Sequence, residues 1–162
     1  MRFTNGQPRS SAATSARHLS QIIAERHHEL EAACQDFLGQ LAVDPHALAA
    51  RWDDFDAVLR DHMAAEEELI FPDLQSTDPQ TGEELRTEHA RIRELLDALG
   101  RDVQHHRIHT GRLRELVSLL HVHAAREDTT LYPWAQRSLA RAMQRELLVR
   151  IGHGLRRLAQ RL

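Results

Sequence analysis

Lysine is missing from this chain: all 21 basic residues are arginine. That absence excludes a Schiff-base lysine and a phosphate-binding P-loop lysine. Cysteine occurs once, as Cys34, so neither an intramolecular disulfide nor a cysteine-cluster zinc site can form. Aromatic residues make up 4%, too few for the stacking platforms that bind single-stranded nucleic acid. Valine and isoleucine together number 12 against 44 leucines and alanines, with 7 glycines and 5 prolines. This balance favours helix and argues against a β-sandwich or barrel, which needs β-branched strands and frequent turn residues. No stretch approaches the roughly 20 apolar residues of a membrane span, and Met1–Ser20 has no apolar core of a secretory signal. A net charge of −3 and a pI near 6.4 give no global drive toward nucleic acid or membrane. The expectation is one soluble, cytoplasmic domain in 162 residues.

What is present in excess is histidine, with 12 copies. The rest of the chain shows strong helical periodicity. A first segment, Thr14 to Ala42, carries Leu19, Ile23, Leu30, Cys34, Phe37 and Leu41 on one face. Val43-Asp44-Pro45 then supplies a turn, an N-cap candidate and a proline suited to a first helical turn. The second segment runs to Phe71 with Leu48, Trp52, Phe55, Leu59, Leu69 and Ile70 on its stripe, and Pro72 to Gly82 reads as loop. A third carries Leu85, Ile92, Leu96, Leu99 and Val103 and fades at His109-Thr110-Gly111. A fourth carries Leu113, Leu116, Leu120 and Leu131 and stops at Tyr132-Pro133. A weaker fifth segment is interrupted at Gly152-His153-Gly154. The fold class expected is all-α: an antiparallel up-down-up-down four-helix bundle with an additional C-terminal helix packed outside or frayed. The domain reading is a flexible tail over 1–14, the bundle over 15–135 and a basic amphipathic helix over 136–162.

The second and fourth segments repeat. His62-Met-Ala-Ala-Glu66-Glu67 ending in Phe71-Pro72 matches His123-Ala-Ala-Arg-Glu127-Asp128 ending in Tyr132-Pro133, an offset of 61. His27 with Leu30 matches His89 with Ile92, an offset of 62. His27, His62, Glu66, His89, His123 and Glu127 all fall where the apolar stripes would place a core residue. A buried carboxylate costs several kcal/mol unless compensated, and no arginine is in register to pair with Glu66 or Glu127. Counted from the helix ends, and at ~1.5 Å per residue, the four histidines reach one layer roughly 14–18 Å inside the bundle. His-x3-Glu sets imidazole and carboxylate one turn apart on one face. A single histidine on an apolar stripe is ordinarily a core residue. Four at one depth beside two carboxylates describe a dinuclear metal site, with two imidazoles per metal and each glutamate bridging.

These residues carry a family resemblance. Through the paired His-x3-Glu-acid segments and Glu88-His89, roughly residues 15 to 135 resemble a hemerythrin-like domain of the HHE cation-binding type. The resemblance implies a four-helix bundle holding two Fe ions joined by an oxo or hydroxo bridge; the same donors suit Mn or Zn. Ferritin-like sites use Glu-x-x-His instead, a different spacing. Oxygen-carrying hemerythrins have a further histidine where this chain has Arg93, and a carboxylate five residues after the fourth-helix histidine, which is Asp128 here. The internal symmetry favours Glu127, with Asp128 outside it. Four protein bonds per metal plus the shared oxo or hydroxo bridge leave about one open position each, if six-coordinate. The expectation therefore moves from a simple oxygen carrier to a protein that binds or senses O2, NO or peroxide, or handles iron under oxidative or nitrosative stress. The alternatives are a di-iron redox enzyme fed by an electron-donor protein, and a metal-stabilised scaffold acting through its C-terminal helix.

Other residues read as background. His28 points about 100° away from His27, and His121, His105 and His109 read as surface or helix-end residues. Cys34 is expected in the core, and Tyr132, nine residues past His123, at the bundle end and too far to ligate. Arg137, Arg141, Arg145, Arg150, Arg156, Arg157 and Arg161 face a single acid, Glu146, and form a solvated basic surface.

Overall fold

The computed structural model describes residues 19–40 and 45–159, and among them every secondary-structure element is helical. The expected tail over 1–14, the turn at 43–44, and the side chains of Cys34, Phe37, Leu41, Leu48, Arg156, Arg157 and Arg161 lie outside the described residues. α1 spans Leu19–Gln40, α2 Pro45–Leu69, α3 Phe71–Thr77, α4 Pro79–Gln104 and α5 Thr110–Arg126. A π-helical segment, Glu127–Leu131, joins α5 to α6 (Tyr132–Ser138), and α7 spans Arg141–Ala159. α1 packs on α2 and α5, and α4 packs on the same two helices, which closes the four-helix bundle. Apolar residues spaced by three and four fill its centre: Ile23 and Leu30, Phe55 and Leu59, Ile92, Leu96 and Leu99, and Leu113, Leu116 and Leu120 are all buried.

Pro72 to Gly82 is not a loop. Proline lacks an N–H, which costs nothing in a first helical turn, and both Pro72 and Pro79 sit there. Asp78 caps α4 by accepting from the Thr81 N–H at 3.1 Å, and Ser76 and Thr77 return their hydroxyls to the Asp73 carbonyl. The residues that resemble loop punctuation therefore act as caps of α3 and α4. At the other end of α4, His106 takes a left-handed φ of 52°. Its N–H bonds Val103 O and that of Arg107 bonds Asp102 O, a Schellman closure with histidine where glycine is usual.

Two further expectations change. The fourth segment does not stop at Tyr132-Pro133: the π turn carries it into α6, where Pro133 again occupies a first turn. α7 packs outside the bundle, as one of the two expectations for it had it, and the expected interruption at Gly152-His153-Gly154 does not occur. The helix lies against α2 and α1, with Leu147, Ile151 and Gly152 buried.

Candidate metal centre

Each bundle helix brings one histidine to a common layer: His27 from α1, His62 from α2, His89 from α4 and His123 from α5. Glu66 follows His62 by one turn on α2, and Glu127 follows His123 as the first residue of the π segment. All six are buried, and both glutamates are completely so. His28, His105, His109 and His121 are exposed, so among the described residues the histidines divide by helix face as their spacing requires.

The six side chains form two groups that share both glutamates. In one, His27 Nε2 lies 3.2 Å from His62 Nε2 and 3.3 Å from Glu127 Oε2, and His62 Nε2 lies 3.1 Å from Glu66 Oε1. In the other, His89 Nε2 lies 3.4 Å from Glu66 Oε2 and 3.6 Å from Glu127 Oε1, and His123 Nε2 is 3.0 Å from the same Glu127 oxygen. Each carboxylate thus turns one oxygen to each group. Within each group the ligand atoms all lie within 4.8 Å of one another. Donors held ~2.0–2.2 Å from one ion, at angles between square and tetrahedral, stand about 3.0–3.6 Å apart.

The donor chemistry also fits a cation. Glu66 Oε2, Glu127 Oε1, His89 Nε2 and His123 Nε2 are buried without a hydrogen-bond partner, although the ion-pair distances between them are short. Orphaned acceptors in an apolar core cost about 1–3 kcal/mol each, more when charged. A cation held in each group would satisfy these atoms at once. Without these cations, protons take that place. Burial acts to lower the His27 pKa, but Asp128 and Glu127 outweigh it and raise the imidazole to about 10. For His89, burial is overcome by Glu127, Glu66 and Glu67, and the value rises to about 11. For His123, burial is overcome by Glu127 and Glu88, and the value is about 9. Burial and the charge of Glu127 act to raise Glu66, but His62 and His89 hold it at about 2. Glu127 is likewise held well below the usual carboxylate range by His123, His27 and His89 against its own burial.

An outer ring of carboxylates orients three of the four imidazoles. Asp128 Oδ1 lies 3.0 Å from His27 Nδ1, Glu67 Oε1 lies 2.8 Å from His89 Nδ1, and Glu88 Oε2 lies 2.8 Å from His123 Nδ1. A carboxylate on Nδ1 fixes the tautomer that leaves Nε2 bare and makes it a better donor. Arg93, at the position where oxygen carriers have a histidine, forms a two-pronged pair with Glu67, both bonds 2.8 Å. Asp128 thus meets His27 at Nδ1, on the side of the ring away from Glu127. Glu67 and Glu88 were not singled out from sequence as partners of the histidines. The signal for Glu67 was its place beside Glu66, matching Asp128 beside Glu127.

Tyr132 requires a correction. It does not pack at a bundle end; its hydroxyl donates to Glu66 Oε1 and lies 3.4 Å from both His27 Nε2 and His62 Nε2, and 3.5 Å from Glu127 Oε2. In an α-helix a residue five places on lies about 140° round the axis. The π turn, closed by the Tyr132 N–H on Glu127 O, widens the helix and lays Tyr132 over Glu127. Burial first, then the charges of Glu127 and Glu66, push its phenol well above the ordinary tyrosine range.

Apolar groups seal the layer. Phe71 stacks on His89 at 5.2 Å between ring centroids. A cavity of about 20 Å³, room for about one water-sized molecule, is lined by His27, His62 and His123 together with Leu30, Leu59, Met63 and Leu120.

No curated protein and no solved structure matches the chain. The family described as Hemerythrin HHE cation binding domain matches residues 18–135 and again residues 80–162. The repeated His-x3-Glu helices, the bundle they build and this match agree: the chain belongs to the hemerythrin HHE cation-binding domain family.

Proposed function

We propose that His27, His62, His89 and His123 bind two metal ions through Nε2, and that Glu66 and Glu127 bridge them. The observation that carries this reading is the pair of buried four-residue groups sharing both glutamates, each glutamate with one oxygen toward each group. We read the metal as iron, and the function as binding or sensing O2, NO or peroxide, or holding iron under oxidative or nitrosative stress. A bound metal pair supplies Lewis acidity and redox capacity there. The chain's own residues do the rest. Asp128, Glu67 and Glu88 hold the imidazoles in their donor tautomer. Leu30, Leu59, Met63 and Leu120 line much of the adjoining cavity, which Glu31 also borders, and its volume suits a diatomic molecule rather than an organic substrate. Residues 15–135 form the metal-holding unit on this reading, and α7 is a basic helix that covers α1 and α2. No described helix is long and apolar enough to cross a membrane.

Elemental analysis and an absorption spectrum of protein purified without added metal test the reading, with two ions per chain expected. His62→Ala and His123→Ala each remove one imidazole from a different group, so each should lower metal content and thermal stability. Retention of two ions per chain by both variants would show the assignment wrong. A second reading, redox turnover with an external electron donor, is favoured by the four histidine and glutamate donors of each described group, which leave room at a metal for an exogenous ligand. Adding oxidant to the reduced protein separates the two: a single stoichiometric spectral change supports binding or sensing, and repeated turnover with a donor supports an enzyme.

A further inference from the structure

The two halves of the centre are built by repeated sequence, yet they are not chemically equal. At the offset of 61, Tyr132 corresponds to Phe71. Phe71 stacks on His89 and offers the His89/His123 group no polar atom. Tyr132 packs against His27 at 5.4 Å between centroids and sets its oxygen within 3.4 Å of both His27 Nε2 and His62 Nε2. A second difference runs the same way. At the offset of 62, Glu88 corresponds to Arg26. Glu88 backs His123, whereas Arg26 pairs with Glu29 on the surface, and His62 Nδ1 is buried with no partner. The His89/His123 group therefore has two imidazoles strengthened by carboxylates. The His27/His62 group has one strengthened imidazole, one bare one and a phenol oxygen in their midst.

Resting on the two-metal reading above, we propose that Tyr132 Oη is an additional oxygen donor to the metal in the His27/His62 group. The two metal positions are then inequivalent, one with a protein phenolate and one without. Ligation breaks the phenol O–H bond as the oxygen–metal bond forms, and the proton leaves to solvent. The metal's oxidation state does not change.

Tyr132 is the single tyrosine of the chain, which makes the test unambiguous. The full chain is loaded with Fe(III), its iron is counted, and resonance Raman spectra are recorded on protein grown with ordinary and with ring-deuterated tyrosine. Two irons per chain with resonance-enhanced tyrosinate ring modes that shift on deuteration are expected. Tyr132→Phe, which copies the Phe71 half, should keep two irons and lose the tyrosinate-to-iron absorption. If that variant fails to fold, the isotope comparison on the natural chain still decides. Two irons per chain without tyrosinate modes overturn this inference and leave the two-metal reading standing. A chain that takes up no iron pair overturns both. A hydroxyl that only hydrogen-bonds Glu66 would give no such modes.

Discussion

At the scale of single residues, the outer carboxylates separate the histidines into kinds. Glu88 is half-buried, accepts from His123 Nδ1 and also faces the Arg126 guanidinium at 2.8 Å. Its own pKa is lowered: burial acts to raise it, and the His123 hydrogen bond and charge with the Arg126 charge outweigh that. Removing the charge but not the shape, as in Glu88→Gln, should weaken metal binding roughly 10–100-fold, the usual cost of losing a carboxylate behind a ligating imidazole. Competition with a chromophoric chelator measures this, and unchanged affinity would deny Glu88 that role. The six inner residues were legible in sequence because a polar residue on an apolar stripe is conspicuous. Glu67, Glu88 and Tyr132 were not. Glu67 and Glu88 sit at half-buried positions where glutamate is unremarkable, and an aromatic side chain before proline reads equally well as a packing residue.

At the scale of elements, the decisive one is the five-residue π turn Glu127–Leu131. Thr129 and Thr130 return their hydroxyls to the Ala125 and Arg126 carbonyls, at 2.8 and 2.7 Å, which satisfies acceptors that the widened turn leaves. Nothing in the hydrophobic period announces it, since α and π turns differ by one residue and Leu131 is buried in this one. The α-helices themselves were legible, from stripes that recur every three or four residues over long spans. Helix interiors also carry a testable weakness at Gly100, on α4. A β-carbon there would meet Trp52 Nε1 at 3.5 Å, an ordinary contact. Gly100→Ala should therefore stabilise the protein by about 0.5–1 kcal/mol, because glycine loses more backbone freedom on folding. Chemical denaturation checks it, and a lower midpoint would mean that α2 and α4 lie closer there than this contact implies.

At the scale of the whole molecule, the centre couples stability to pH. His27, His89 and His123 have folded values of about 10, 11 and 9 against an ordinary 6.5. Their contribution to the metal-free fold is fully present below 6.5 and is lost as pH rises through 9 to 11. Glu66 and Glu67, at about 2 against 4.5, contribute above 4.5 and lose it as pH falls toward 2. Chelator-treated protein should thus melt highest between about pH 4.5 and 6.5 and progressively lower toward about pH 10. Metal affinity should move the other way, because the ions displace these protons. Melting curves across that range test the first, and a metal-free Tm that rises from about pH 6.5 to 9 would contradict the charge pairing described for the centre.

The amino-acid order alone determined an all-helical bundle, its repeat, and six inward polar residues at one depth, because a helix projects its faces at a fixed angle per residue. Only the tertiary structure decided which carboxylate backs which imidazole, that the glutamates each divide their oxygens between two groups, that α7 closes on α1 and α2, and that Tyr132 belongs to one half and not the other. These depend on distances between chain segments and on one widened turn, and helical periodicity within a segment carries information about neither.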